Sequence, residues 1–391
     1  MTVPEHKSVR WEGGLQVKRI EVDGFMGRVG TLKIDFNSDL NIITGRNGAG
    51  KTTLLKLLWY FMSGNIYLAL NETRFSRFFI ETSLYKCTVF RLSGNTCKVT
   101  LSIDDDETTF EDIRDDDGDS VVDAEDQAND VIMQLGSSIF FPTFRRIEGG
   151  FTLTSNRRPS RGLFNQARSK SDIEDNFTAL ARKLTNAKHQ FVSALSTADV
   201  VGILLTKFAD LSSEYNNLQQ QMSEEVISTI KSHQYNSGIE SSVGEERALL
   251  DQVRQRIEQM EDEREAVMRP IDAVRALVER LFHSNGILIG SRLRFGDAAN
   301  AINSDALSAG EKQMLSFICY NALTSDAVII IDEPELSLHV DWQRQLFSIL
   351  AEQGTNNQFI IATHSPFIYS KYPDKEVLID QDRGDEWIEN Q

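Results

Sequence analysis

The chain has 391 residues, of which 40% are hydrophobic and 25% are charged, and its formal net charge is −17. This composition is typical of a globular protein of roughly two or three domains, and the negative charge disfavours broad nonspecific binding to nucleic acid. No apolar stretch approaches the roughly 20 residues that span a bilayer, and the three cysteines include no C-x-x-C pair. The sequence therefore predicts a cytoplasmic protein without membrane contact, disulfide framework or zinc site.

The N-terminal part of the chain is predicted to form β-structure around one helix. Leu15–Val22 alternates in the manner of a half-buried strand, and Leu40–Ile43 is a short apolar run typical of a buried strand. A helix is predicted from Thr53 until near Gly64, and Tyr85–Ile103 favours a hairpin.

A glycine-rich loop lies between the second strand and that helix. Residues 45–52 fit the P-loop pattern G-x-x-x-x-G-K-[ST]. In such a loop the backbone N–H groups surround phosphates, and the following helix start adds positive potential. Lys51 is expected to neutralise β- and γ-phosphate oxygens of ATP, and Thr52 to hold Mg²⁺. The residues assigned to the nucleotide are Arg46, Asn47, Gly48, Ala49, Gly50, Lys51, Thr52 and Thr53.

Two charged segments follow. Residues 104–130 are strongly acidic but do not match the spacing of a calcium-binding EF-hand, so a solvated acidic loop is predicted. Residues 145–170 carry seven basic residues against one acid, Glu148. This basic segment is compatible with contact to a phosphate-bearing ligand or acidic partner, and equally with a surface loop that balances the acidic stretch.

The middle of the chain shows helical periodicity. Apolar residues recur in 4-3 steps over 173–194 and 201–222, and again over 250–281. We therefore predict an antiparallel helical hairpin over Asp172–Phe282 that is partly coiled coil; the alternative is a helical subdomain packed on the core. The predicted division is residues 1–150, a helical insertion over 151–290, and residues 291–391.

The C-terminal part returns to strands and helices. Ala327–Ile331 is an apolar run that leads directly into Asp332 and Glu333, and Phe359–Ala362 is a second run of this kind. A helix is expected between them over Asp341–Gln353, and a last strand near Glu376. A P-loop together with a carboxylate pair at a strand end is the arrangement of a Mg-nucleotide hydrolysis centre.

Four motifs together resemble the ABC-type ATPase superfamily, in its soluble branch with the SMC, RecF and OLD-type ATPases. They are the P-loop, the segment Leu307–Gln313, the acidic pair, and Thr363–Pro366 after the next strand. The resemblance covers about residues 15–65 and 300–380. It implies an α/β fold, namely a P-loop ABC-type ATPase head with a mixed sheet flanked by helices, from which the helical hairpin projects.

The resemblance also implies roles for single residues. Asp332 would bind Mg²⁺, Glu333 would polarise the attacking water, and His364 would contact the γ-phosphate of ATP. The segment with Ser308, Gly310 and Glu311 would contact the nucleotide of a second copy, so that a head-to-head dimer, or a higher oligomer, forms composite sites. This chain departs from the family pattern by Ala309 and Glu311 in the signature and by Val340 where proline is usual. It also lacks a clear Q-loop glutamine, for which Gln134 and Gln166 are the candidates.

A further segment, Phe141–Glu148, resembles ATPases of bacterial anti-phage defence modules, which work beside a separately encoded effector, often a nuclease. The predicted function is therefore an ATP-hydrolysing sensor or regulator of such a module with an effector nuclease or toxin as its partner. The alternative is a RecF- or SMC-like ATPase that repairs or clamps DNA, in which nucleic acid is the partner.

Overall fold

The computed structural model describes residues 14–94, 96–104, 106–114, 120–143, 183–186, 188–193 and 308–380, with residue 181 and scattered positions of 209–231 and 251–262. The basic segment 145–170 and most of the predicted helical hairpin lie outside these residues. Described positions within 209–231 and 251–262 are helical, whereas the coiled-coil pairing stays a prediction. None of the described helices is long and apolar enough to cross a membrane.

The strands are β1 (Val17–Asp23), β2 (Thr31–Asp35), β3 (Leu40–Thr44), β4 (Arg77–Thr82), β5 (Lys86–Ser93), β6 (Thr96–Ile103), β7 (Asp106–Phe110), β8 (Ile113–Arg114), β9 (Ser120–Val122), β10 (Ser138–Phe141), β11 (His189–Phe191), β12 (Val328–Asp332), β13 (Gln358–Ala362) and β14 (Glu376–Leu378). The helices are α1 (Lys51–Met62), α2 (Ile66–Glu72), α3 (Ala124–Ile132), α4 (Ala309–Ala322), α5 (Val340–Ala351) and α6 (Pro366–Tyr369).

Most strands belong to one of two six-stranded sheets rather than to a single mixed sheet. The first is antiparallel with the order β2-β1-β4-β5-β6-β7, and the second has the order β11-β10-β12-β13-β3-β14 with every pairing parallel. Strands β4 and β6 of the first sheet bury alternate residues, whereas β3, β12 and β13 are buried along their whole length. Continuous burial is what a parallel strand covered on both faces requires.

Helix α1 lies between the two sheets. The ring of Phe61 stacks on Phe78 of the antiparallel sheet with centroids 3.9 Å apart, and Trp59 packs against Phe140 of the parallel sheet at 5.8 Å. On the opposite face of the parallel sheet, α4 and α5 cover a second apolar core through contacts such as Phe141 with Phe317. The layers confirm the predicted α/β head.

The helix predicted over 173–194 is wrong at residues 189–191, which form strand β11, whereas the described residues 181, 183 and 184 are helical. His189–Phe191 pairs in parallel with β10, and Phe191 packs on Trp59 and Phe140. The apolar spacing that suggested a helix arises here because Leu184 and Phe191 both contact the main core. The domain limits stay a prediction, but this strand places residues 189–191 in the parallel sheet rather than in a separate helical unit.

The acidic stretch 104–130 is also more ordered than predicted. It contains β7 and α3, and α3 buries Ala124, Ala128 and Ile132 on one side. These residues recur at the spacing of a helix face, and the many surrounding acids concealed that pattern. Residues 115–119 lie outside the described part of the chain.

Candidate nucleotide site

The predicted site residues gather at one edge of the parallel sheet. The P-loop follows β3, the acidic pair ends β12, and His364 lies two residues beyond β13. Thr143 lies two residues beyond β10, on the other side of β12. Parallel strands place their carboxyl ends at the same edge, which is where ligands bind in α/β sheets. The topology thus brings together segments that are up to about 300 residues apart, such as Lys51 and His364.

The P-loop has the backbone of a phosphate cradle. Gly45, Gly48 and Gly50 have φ angles of 150°, 80° and 102°, a region that residues with a Cβ rarely adopt. Arg46, Asn47 and Gly48 are exposed, Ala49 is buried, and Lys51 begins α1 with Thr52 and Thr53 partly exposed behind it. The loop therefore presents its backbone, rather than bulky side chains, in front of the start of α1, where N–H groups bind anions.

Lys51 occupies the centre of this loop and is only 6% exposed. Its Nζ donates to the carbonyl oxygens of Gly45 at 2.8 Å and Arg46 at 3.2 Å, and lies 3.4 Å from Nδ1 of His364. Burial lowers the pKa of the Lys51 ammonium, and the nearby Glu333 and other carboxylates oppose that shift. These hydrogen bonds hold the Lys51 ammonium where the terminal phosphates of a nucleotide would enter the loop.

The acidic pair combines a fully buried carboxylate with a strained neighbour. Asp332 is 0% exposed, and its Oδ2 accepts a hydrogen bond from the hydroxyl of Thr143. Glu333 has a φ of 47°, and its backbone N–H donates to the carbonyl of Ala362 at 2.8 Å. A left-handed backbone at a residue with a side chain costs about 1–3 kcal/mol and is found preferentially at functional sites.

The donor set of this edge fits Mg²⁺. The hydroxyl of Thr52 and the carboxylate of Asp332 are hard oxygen ligands of the kind that Mg²⁺ prefers, and phosphate oxygens complete such sites in nucleotide-binding proteins. Among the described residues, no cluster of three or more His, Cys, Asp or Glu side chains is arranged to hold a metal ion by itself.

His364 is exposed and its position is set through its backbone. Its N–H donates to Oε1 of Glu335 at 2.7 Å, in the loop that follows the acidic pair. Ser365 donates from its hydroxyl to Oε1 of Gln343 at 2.5 Å, and Gln343 in turn donates to the carbonyl of Leu338 in that loop at 2.8 Å. Hydrogen bonds therefore connect the loop after β12 with the loop after β13.

The signature segment starts α4. Ser308 is the N-cap residue: its hydroxyl accepts from the N–H of Glu311, and the Glu311 carboxylate accepts from the N–H of Ser308 at 2.7 Å. Such a capping box satisfies donors at a helix start. Gly310 is buried against the carbonyl of Ser337, where there is no room for a Cβ. The hydrogen bonds of Ser308 to described residues stay within the first turn of α4, and Ser308 itself is exposed.

Thr143 and Glu335 are site residues that sequence reasoning missed. Thr143 directly follows a short apolar run and a proline, and Glu335 lies two residues after Glu333. The sequence feature that could have identified both is a polar residue shortly after the end of a predicted strand. Gln134 precedes the amino end of β10, at the opposite edge of the sheet, so it does not supply the missing Q-loop glutamine. The second candidate for this glutamine, Gln166, lies outside the described residues.

Comparison with known families decides the classification. A family model described as an AAA domain, putative AbiEii toxin, Type IV TA system matches residues 40–370, which is most of the chain. The chain belongs to this AAA-domain family. The match spans both halves of the site, from the P-loop strand to the segment after His364, and confirms the predicted ATPase.

Individual relatives match over shorter segments. The Septu protein PtuA of Bacillus thuringiensis is 43% identical over 49 residues, 12% of this chain and 12% of the relative. The Retron Ec83 probable ATPase of Escherichia coli is 36% identical over 73 residues, 15% of this chain and 14% of the relative. The matches thus span under a fifth of either relative's length. Together with the family match they confirm the resemblance to ATPases of bacterial defence systems.

Among solved structures, a similar chain is the Smc head domain with an extended coiled coil derived from Pyrococcus furiosus, in a crystal structure where it is bound to the C-terminal domain of ScpA. It is 13% identical and covers 91% of both chains, with a TM-score of 0.36. The assignment of the fold rests on the strand order and the layers described above.

Proposed function

We propose that this chain binds ATP with Mg²⁺ at the carboxyl edge of its parallel sheet, hydrolyses it, and acts as the ATPase of a cytoplasmic anti-phage defence module. The observation that carries the proposal is the meeting of the P-loop lysine, the acidic pair and His364 at this edge. Lys51 Nζ lies 3.4 Å from His364 Nδ1, and the carboxylates of Glu333, Asp332 and Glu335, at the end of β12 and just after it, act electrostatically on the same ammonium.

Hydrolysis needs charge neutralisation and an oriented water. The P-loop amides and Lys51 would bind the phosphates, and Mg²⁺, held by Thr52 and Asp332, would supply further charge neutralisation. Glu333 would accept a proton from the water that attacks the γ-phosphorus, so that ADP leaves and phosphate forms. His364 would donate to the γ-phosphate. The roles of these residues follow the motif resemblance and the positions described above.

The signature segment supports a dimer. Ser308 is exposed at the start of the 14-residue helix α4, whose first turn presents polar groups, and its described hydrogen bonds are confined to that turn. A second copy, head to head, would bring Ser308, Gly310 and Glu311 to the nucleotide held by the first. Two ATP molecules would then lie in composite sites between the copies.

The effector is proposed to be a separate protein, a nuclease or toxin. This proposal follows the resemblance of Phe141–Glu148 to defence ATPases that work beside a separately encoded effector, and one relative is named Retron Ec83 probable ATPase. ATP-dependent dimerisation would give such a module a nucleotide-controlled surface on which an effector is bound or released.

Two experiments test the proposal. The first measures ATP hydrolysis by the wild-type chain and by Glu333→Gln, which should keep ATP bound but lose turnover; turnover equal to wild type would refute the assignment of Glu333. The second mixes Ser308→Arg with Lys51→Ala protein. Each variant alone should be inactive, and the mixture should regain part of the activity because one composite site per mixed dimer is intact. Mixed dimers without activity would refute composite sites.

The partner is tested with Glu333→Gln protein held with ATP and mixed with the products of neighbouring genes. Capture of one of these products supports a module with a separate effector. If the particle instead binds DNA tightly, in a salt-sensitive manner and without protein partners, the repair or clamping alternative replaces the defence role.

A further inference from the structure

Glu335 is a carboxylate at the nucleotide site that the proposed hydrolysis does not use. It lies two residues after Glu333, in the loop between β12 and α5. Its Oε1 accepts the backbone N–H of His364 at 2.7 Å. Its Oε2 is buried and has no hydrogen-bond partner among the residues that the structure describes. The side chain thus makes one described bond, and that bond ends on the backbone of His364.

The neighbours of His364 are anchored by other groups. Thr363 donates its N–H to the carbonyl of Ile43 on β3 at 3.2 Å, and Ser365 donates its N–H to the Thr363 hydroxyl at 2.9 Å. His364 lies between them, and its own N–H is directed to Glu335. The carboxylate therefore fixes the one backbone donor of this tripeptide that points toward the loop after β12.

This backbone position determines where the His364 ring lies. Nδ1 of the ring is 3.4 Å from Nζ of Lys51, so a rotation of the His364 backbone would move the ring away from the phosphate end of the P-loop. Glu335 also acts electrostatically on Lys51. Its own backbone is held, because its carbonyl accepts from the N–H of Leu338 at 3.0 Å.

We propose that Glu335 is a positioning residue that fixes His364 against Lys51 and thereby sets the rate of ATP hydrolysis without contacting the nucleotide. The inference rests on the proposed function, since it presumes hydrolysis at this site. Preorganised neighbours of this kind matter because small displacements of a reacting group lower the rate strongly.

A double-mutant cycle tests the inference. Wild type, Glu335→Ala, His364→Ala and the double variant are compared for kcat and KM for ATP, and for equilibrium binding of ADP. Glu335→Ala should lower kcat by about tenfold or more, with KM changed less than about threefold. On the His364→Ala background it should add no further loss, because residues that act through one another are not additive. An equal loss on both backgrounds would overturn the inference.

Glu335→Gln separates the hydrogen bond from the charge. The amide oxygen of glutamine can still accept from the His364 N–H, so kcat should recover to near wild type. If Glu335→Gln is as slow as Glu335→Ala while both bind ADP like wild type, the charge rather than the bond is decisive and the inference is wrong.

Glu352→Ala is the matched control, because it removes an exposed carboxylate at the end of α5, and it should leave kcat unchanged. The same assay distinguishes a failure of the proposed function from a failure of the inference about Glu335. A wild-type chain that does not hydrolyse ATP contradicts the proposed function and this inference with it. An active wild type with an unimpaired Glu335→Ala variant contradicts the inference alone.

Discussion

Replacing Gly310 by alanine should loosen the first turn of α4 from the loop that follows Glu333. A Cβ at Gly310 would lie well under 3.0 Å from the carbonyl oxygen of Ser337 and 3.3 Å from its carbon. The obstacle is backbone, so no side chain can swing away. Overpacking of this kind costs about 1–3 kcal/mol, whereas alanine is favoured over glycine in a helix by up to about 1 kcal/mol. Because the overlap is severe and with backbone, the cost lies in the upper part of that range, and we expect a net loss of about 1–2 kcal/mol in unfolding free energy.

The assay is urea denaturation of wild type and Gly310→Ala, in which the midpoint should fall by an amount that reflects this loss. A second substitution gives the matched test. Ser337 has a φ of 70°, so Ser337→Gly relieves left-handed strain and lets its carbonyl shift. Ser337→Gly should therefore recover part of the stability of Gly310→Ala. A Gly310→Ala midpoint equal to that of wild type would refute the packing of α4 on this loop.

Lys51→Ala should abolish ATP binding, because it removes the ammonium that the P-loop carbonyls orient; wild-type affinity in equilibrium binding would contradict this role. Thr143→Val removes the hydroxyl that donates to buried Asp332 and should cost about 1.5–3 kcal/mol of unfolding free energy. Thr143→Ser keeps the hydroxyl and should unfold at nearly the wild-type urea midpoint, so equal losses in the two variants would count against the bond. Burial of His189 lowers its pKa from 6.5 to about 4, so between these values the unfolded chain binds more protons than the folded one. Stability should therefore be retained above pH 6.5 and fall by up to roughly 3 kcal/mol from this group as the pH drops to 4. Urea midpoints measured across this range should depend less on pH in His189→Asn, and parallel curves for the two proteins would contradict the assignment.

The sequence was most informative where a function needs residues close together in the chain. The P-loop was predictable because its glycines, Lys51 and Thr52 act within eight consecutive residues. The acidic pair was predictable because a buried strand shows as an apolar run that ends at Asp332. The roles assigned to Ser308 and His364 came from the motif resemblance, and they stay predictions until tested.

Contacts between distant segments were not predictable in the same way. The bond from Thr143 to Asp332 and the bond from His364 to Glu335 depend on the order of β10, β12 and β13 in the parallel sheet, which no local pattern encodes. The helical spacing was wrong at residues 189–191 for the same reason, because an edge strand such as β11 can bury an apolar side chain at any spacing that the core allows. The spacing of apolar side chains shows which residues are buried. It does not show which strand or helix they pack against.

The most direct test of the central claim is the mass of Glu333→Gln protein measured by light scattering with and without ATP and Mg²⁺. The account predicts a monomer without nucleotide and a particle of about twice the mass with ATP, and no change of mass when Lys51→Ala is added to the same chain. A mass that stays unchanged while ATP is bound would contradict an ATP-dependent dimer with composite sites.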